Sequence, residues 1–376
     1  MRKIRLSKSC LGSEEKDAVV RVLDKEFLGM GEEVGLLEQE LAAYLNLKNS
    51  SVVCVNTGTA ALHLALSALD IGIGDEVLVP SITYLASLQA ISATGAKPVI
   101  CDVLEDSVLI DPQDARTRIT PNTKAIMPVH YASNSYGLDA IYNLAQEFNL
   151  RVVEDAAHSI GSKQGENFIG SSGDILCFSF DGIKNMTSGE GGAVVTADPI
   201  VLQRIKDARL LGVMKDTEKR LSGQRSWFFD VEHQGYRFHM SNIMAAIGRE
   251  QLKKLNNFGI KRRQLVNVYR KSLSAVNGIS HLNYPVTEIV PHICIIKITN
   301  GLRNQLMEFL RSKGVECGVH YQPNHLLTFY RTNYSLPIAE KLFEQLLTLP
   351  LHADLSVEDV DYVCNHIKEF MRVNHA

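Results

Sequence analysis

Residues 178–195 read FSFDGIKNMTSGEGGAVV, with Lys184 in the loop between two apolar, strand-like runs. A lysine in such a loop is ordinarily a solvated surface cation. Two other strand ends bear on that reading. RVVEDAAHS (151–159) closes an apolar run on Asp155, with His158 three residues further on. SVVCVNTGTAALHLAL puts Thr57, Gly58 and Thr59 at a strand-to-helix turn. Such a turn offers free backbone N–H groups and the positive end of a helix dipole to an anion, and glycine lets the anion come close. Ser179 adds a hydroxyl just before Lys184, and Tyr84 follows the run EVLVPSIT. Taken singly, the Gly-Thr pair reads equally as a helix N-cap, Asp155 as a cap, and His158 as a structural imidazole. Taken together, three strand ends supply an anion cradle, a carboxylate, and a hydroxyl with an amine. Pyridoxal phosphate needs that set. Its phosphate takes N–H and hydroxyl donors, and its pyridine nitrogen takes a carboxylate that keeps it protonated. Its aldehyde takes a lysine for a Schiff base, and Tyr84 can stack on the ring.

These residues require a scaffold that brings strand ends to one edge. Strand-like runs recur at 51–55, 76–80, 97–101, 125–131, 151–154, 174–180 and 192–196, and helical patterns separate the early ones at 59–69, 84–94 and 139–148. The alternation predicts an α/β fold built on a mostly parallel, doubly wound sheet. The last two strands are joined by a loop alone, which admits an antiparallel strand. Helices are expected at about 14–25 and 35–45. Residues 241–276 carry apolar residues at helical spacing and read as one long or kinked helix. After it come ICIIKIT (293–299), a helix over 302–312, VECGVHY (315–321), and closing helices near 337–347 and 356–372. The expected division is a large cofactor-binding domain over 1–250 and a small α+β domain over 251–376.

With 376 residues, 45% of them hydrophobic, the chain can bury a large core. A net charge of -3 without a basic stripe argues against nucleic acid or an anionic membrane surface as partner. No apolar run is long enough to span a bilayer, and MRKIRLSKSCLGSEEKD lacks the apolar core of a signal peptide. The seven scattered cysteines include no CxxC pair and read as reduced thiols of a cytoplasmic protein. No metal site is expected.

The ordered stretches VNTGTAALHLAL, GDEVLVPSITYLAS, ATGAKPVICDV, TKAIMPVH, VVEDAAHSIGS, GDILCFSFDGIKNMTSGEGGAVV and GYRFHMSNIMAAIGREQL resemble the DegT/DnrJ/EryC1/StrS sugar aminotransferases over nearly the whole chain. The resemblance implies the type I aminotransferase fold with a seven-stranded sheet. It also implies a homodimer with active sites shared at the subunit interface. Lys184 matches the Schiff-base lysine, Asp155 the pyridinium partner, and Gly58, Thr59 and Ser179 the phosphate contacts. His158 stands beside the cofactor's phenolic oxygen. VHYQPNH (319–325) resembles a segment facing the active site from the small domain, which makes His320, Tyr321 and His325 candidates for substrate contact. One stretch departs from the family pattern. GYRFHM replaces the usual GYNYRM, so Arg237 stands where an asparagine reaches the neighbouring subunit's phosphate, and His239 stands where the family has arginine.

The implied reaction is transamination from L-glutamate to a keto-sugar through the Schiff base on Lys184. The implied acceptor is a nucleotide-linked 4-keto-6-deoxyhexose, in dideoxy amino sugar and O-antigen or polysaccharide biosynthesis. SFDGIKNMTSGEGG looks more like the branch acting at carbon 4 than the branch acting at carbon 3. The rival readings are the same chemistry on a free sugar or cyclitol, a sugar dehydratase, and a non-catalytic cofactor-binding regulator. The dehydratases carry histidine at the Schiff-base position, so Lys184 argues against that rival. The regulator would need an added DNA-binding segment, and no helix-turn-helix pattern precedes residue 50.

Overall fold

In the computed structural model, residues 3–225 and 227–374 are described. Their strands, in chain order, are β1 (Ser51–Val55), β2 (Glu76–Pro80), β3 (Lys97–Cys101), β4 (Thr123–Ile126), β5 (Arg151–Asp155), β6 (Lys163–Gln164), β7 (Asn167–Phe168), β8 (Ile175–Ser179), β9 (Gly192–Thr196), β10 (Ile279–His281), β11 (Cys294–Ile298) and β12 (Leu346–Leu349). Seven of them form one sheet in the order β1-β9-β8-β5-β4-β2-β3. The strands from β8 to β3 run parallel, while β9 pairs antiparallel with both β1 and β8. The fold is therefore α/β with a mostly parallel seven-stranded sheet, as the alternation of patterns predicts. Residues along β2, β8 and β9 are buried on both faces, which is why these segments read as continuous apolar runs rather than alternating ones.

The helices at Gly58–Ala68, Ala86–Ala93 and Leu138–Phe148 fall within a residue or two of their expected spans. So do Ser13–Asp24 and Arg303–Ser312, while the second N-terminal helix begins early, at Glu32, and runs to Tyr44. Three helices had not been expected: Pro112–Thr117, Pro199–Ala208 and Asp216–Leu221. The first two carry a readable start signal. Asp111 and Asp198 cap the chain just before a proline that begins the helix; Asp111 accepts the Gln113 N–H, and Asp198 those of Ile200 and Val201.

The strand expected over 125–131 ends at Ile126. Pro128 follows, and it has no N–H to donate to a ladder. Beyond it only a single bridge joins Val129 to Asp155. The long helix runs unbroken from Asn242 to Leu273, capped by Ser241, whose hydroxyl accepts the Met244 N–H at 3.3 Å. Its N-terminal half (Ala245, Leu252, Leu255) packs in one core with the helix Glu32–Tyr44 and one face of the large sheet. Its C-terminal half (Leu265, Val266, Tyr269, Leu273) packs in the core that joins the other face of that sheet to a small antiparallel sheet, β10-β11-β12.

That small sheet corrects the reading of the C-terminal segment. Its third strand is LLTL at 346–349, which the helical pattern before it hides, and not VECGVHY. Residues 315–321 contribute only isolated bridges, Val315 to Ile4 and Gly318 to Thr348. ICIIKIT does supply the central strand β11.

Two glycines set how closely the strand ends converge. A Cβ on Gly58 would meet Ser179 Cβ at 2.8 Å. A Cβ on Gly192, the first residue of β9, would meet Thr57 O at 2.6 Å and Gly58 N at 2.8 Å, all backbone atoms with no freedom to retreat. We expect Gly192→Ala to lower unfolding stability by about 1–3 kcal/mol, the usual cost of overpacking. Urea denaturation of the cofactor-free protein checks this, and an unchanged midpoint would contradict the packing argument.

Candidate active site

Asp155 ends β5 and is buried. Its Oδ2 accepts the Ser87 hydroxyl at 2.6 Å and its Oδ1 accepts the Ala157 N–H at 3.2 Å, so the carboxylate is held in one orientation. Ser87 is in turn 2.8 Å from Thr83 Oγ1. The neighbouring residue on β5, Glu154, points away from this edge. It bonds His130 Nε2 at 2.7 Å and Tyr142 Oη at 2.5 Å, while His130 Nδ1 reaches Ser159 Oγ at 3.1 Å. His130 N–H also donates to Asp155 O at 3.0 Å, which locks the ends of β4 and β5 together.

Lys184 lies in the loop between β8 and β9 and is half-buried. Burial lowers its pKa, an effect that the carboxylates of Asp155 and Asp181 oppose. The loop is anchored by Asn185, whose Nδ2 donates to His158 O and to Val290 O, both at 2.9 Å. His158 is buried and lowered well below the ordinary imidazole range by burial and then by Lys184, so it is neutral. Its Nε2 is 3.2 Å from the Tyr321 hydroxyl, and its Nδ1 has no hydrogen-bond partner among the described residues. Burial also raises the Tyr321 phenol, which keeps it protonated.

The anion cradle is the N-terminus of the helix Gly58–Ala68. Thr57 caps it by accepting the Ala60 N–H at 3.0 Å. The N–H groups of Gly58 and Thr59 make no hydrogen bond among the described residues. Ser179, buried at the end of β8, stands against Gly58. Tyr84 is exposed, with its ring 5.8 Å from that of Tyr321.

From the small sheet's side, His320 Nδ1 contacts Thr348 Oγ1 at 2.8 Å, and burial together with Lys184 pushes His320 down to about 4. His325 is placed differently. Both of its nitrogens are engaged, Nδ1 by Ser81 at 2.7 Å and Nε2 by Glu340 at 3.1 Å. With Asn324, which donates to Ser81 O and Thr83 O, it docks this segment onto the loop that carries Tyr84. Arg237 also stands apart from Lys184. It is exposed and lines a cavity of ≈ 120 Å³ with Arg220, His239 and Phe229.

One edge of the sheet thus gathers a free helix N-terminus, an oriented carboxylate, an amine of lowered basicity and a buried imidazole with a free nitrogen. The donor set fits pyridoxal phosphate group by group. Residues 9–368 match the family model of the DegT/DnrJ/EryC1/StrS aminotransferases. The chain belongs to that family. It is 33% identical to the spore coat polysaccharide biosynthesis protein SpsC of Bacillus subtilis over 96% of this chain and 95% of SpsC. Its structure resembles the aminotransferase TlmJ from Streptoalloteichus hindustanus at a TM-score of 0.92, with 30% identity over 99% of this chain and all of TlmJ. It likewise resembles Spr1654 from Streptococcus pneumoniae, solved in PLP and PMP forms. The PLP form gives a TM-score of 0.90 and 30% identity over 99% of each chain. This family member is a pyridoxal phosphate-dependent sugar aminotransferase.

Reading from sequence missed Ser87, Asn185, Ser133, whose hydroxyl bonds His158 O, Arg262, which donates to His292 O, and His292, whose ring packs on that of His158. Each is a single polar residue without a periodic or motif signal of its own. Acid should weaken this arrangement. His158, His292 and His320 are all depressed in the folded state, so unfolding takes up protons once the pH falls below the ordinary imidazole value of 6.5. Their neutral state therefore costs stability progressively as the pH drops from about 6.5, down to about 4 for His320. We expect the thermal midpoint of the cofactor-free protein to fall across that window and His320→Gln to flatten part of the slope. A midpoint that stays level or rises on acidification would contradict the assignment.

Proposed function

We propose that the protein transfers the amino group of L-glutamate to carbon 4 of a nucleotide-linked 4-keto-6-deoxyhexose. The observation that carries the reading is the placement of Lys184: an amine of lowered basicity, facing Asp155 across adjacent strand ends and backed by neutral imidazoles. Pyridoxal phosphate, when bound, supplies the electron sink. The chain's own residues do the rest. The N–H groups of Gly58 and Thr59 and the Ser179 hydroxyl would hold the phosphate. Asp155, oriented by Ser87, would hold a proton at the pyridine nitrogen. Lys184 Nζ would be the Schiff-base amine and the group that accepts and returns the substrate's proton. Tyr84 would cover the ring face, while His320 and Tyr321 would face the substrate from the segment beside the small sheet. His325 serves this wall from behind through Ser81. SpsC, by its name, serves polysaccharide synthesis, and that supports a sugar destined for a glycan.

We further propose a homodimer in which Arg237 reaches the partner's cofactor phosphate. Its exposure supports this, as does the uncovered apolar surface beside it, where Trp227, Phe228 and Phe229 are 82%, 96% and 63% exposed. Burial and the neighbouring Arg237, Arg209 and Arg220 lower His239, so Arg237 carries the charge that the motif's own arginine would have brought. A charged hydrogen bond to phosphate contributes about 1.5–3 kcal/mol, so Arg237→Ala should weaken cofactor retention roughly tenfold to a hundredfold. Normal retention with weakened keto-sugar saturation would reassign Arg237 to the substrate's diphosphate.

The function itself is tested by screening keto-sugar nucleotides with L-glutamate and following product mass. Wild type should give the 4-amino sugar, and Lys184→Ala should give none while keeping its circular dichroism spectrum. Turnover by Lys184→Ala at the wild-type rate would end the proposal.

A further inference from the structure

Val290, Pro291 and His292 lead the chain into β11, and each main-chain polar group of this segment is taken up by a buried side chain. Val290 N–H donates to Ser162 Oγ at 2.9 Å. Val290 O accepts from Asn185 Nδ2 at 2.9 Å and lies 2.7 Å from Ser133 Oγ. His292 N–H donates to Ser133 Oγ at 3.0 Å, and Arg262 Nη1 donates to Pro291 O at 3.3 Å and to His292 O at 3.1 Å. Ser133 and Asn185 are the same two side chains that bond His158 O, at 2.5 and 2.9 Å. Ser133 therefore bonds the backbones of both His158 and His292, and Asn185 those of His158 and Val290.

The side chains meet as a consequence. The two imidazole centroids are 4.4 Å apart with an interplanar angle of 43°. Tyr321 holds His158 by its Nε2 at 3.2 Å. His158 is thus gripped by two residues of the small-sheet side, one bonding its edge and the other packing on its ring. Nδ1 of each imidazole is buried without a hydrogen-bond partner among the described residues. The core tolerates such an atom poorly, and an aliphatic residue at 292 would avoid it. The charged and titratable groups facing His292 are His158, Lys184, Arg262 and His320, and with burial they keep it neutral.

We propose that His292 is a positioning residue that fixes the ring of His158, so that His158 meets the cofactor in a single orientation. The proposal rests on the reading that His158 lies against pyridoxal phosphate. It predicts that the planar ring at 292 does the work, through contact and not through proton transfer.

The test compares wild-type holoenzyme with His158→Gln, His292→Ala and His292→Phe, reading the pH midpoint of the bound cofactor's visible absorbance together with the thermal midpoint. His158→Gln should displace the pH midpoint. His292→Ala should displace it in the same direction by about half a pH unit, roughly a threefold change in the proton equilibrium. His292→Phe, which restores a flat ring, should return it to the wild-type value. If His292→Ala fails to keep cofactor, His292→Leu fills the volume without a ring and should show the same displacement. A wild-type pH midpoint in His292→Ala or His292→Leu, with only the thermal midpoint lowered, would overturn the role of His292 and leave that of His158 standing. A displacement in His292→Phe as large as in the aliphatic variants would also overturn it. An unchanged midpoint in His158→Gln would overturn the placement of His158 at the cofactor, and the proposal with it.

Discussion

The site depends on backbone brought closer to backbone than a side chain allows. At Gly58 and Gly192, a helix N-terminus, the end of β8 and the start of β9 pass within contact distance of one another. If a methyl group stood at either position, the strand ends would have to spread. The N–H groups of the helix would then no longer converge with Ser179 on one small volume. The anion cradle is therefore a packing result before it is an electrostatic one. Its donors are ordinary, and their convergence is what singles the place out.

Around that convergence the chemistry is graded by burial. Asp155 is buried but satisfied by a hydroxyl and an N–H, which fix its orientation. Lys184 and the histidines have fewer compensating partners and are pushed toward their neutral forms. An oriented carboxylate beside an amine of lowered basicity and depressed imidazoles is a set suited to proton transfer. Arg262 is buried and pushed down to about 10, and its guanidinium donates to main-chain carbonyls, with no carboxylate partner among the described residues.

The parts of this arrangement that were legible in the sequence are those with a local signal. The buried strands announced themselves as apolar runs, and Lys184, Asp155 and Gly58 lay at their ends. β12 was not legible, because LLTL follows a helical pattern without a break and only its pairing with β11 makes it a strand. VECGVHY has strand-like composition, yet its main chain meets β12 only at the single bridge between Gly318 and Thr348. His292 was invisible for a related reason. Its meaning comes from Ser133 and Asn185, more than a hundred residues away in the chain, and no spacing within VPHICIIKIT encodes them. Asp198-Pro199 shows the opposite case, a capping signal fully present in the sequence whose helix went unread.

The helix Asn242–Leu273 is about 48 Å long at 1.5 Å per residue, and it belongs to both cores at once. Neither sheet can lose its packing without stripping one half of that rod, and the rod cannot fray from one end without exposing leucines to water. The two halves of the molecule are therefore joined in free energy as well as in sequence. Local melting of the small sheet would therefore strip packing from a core that the large sheet shares.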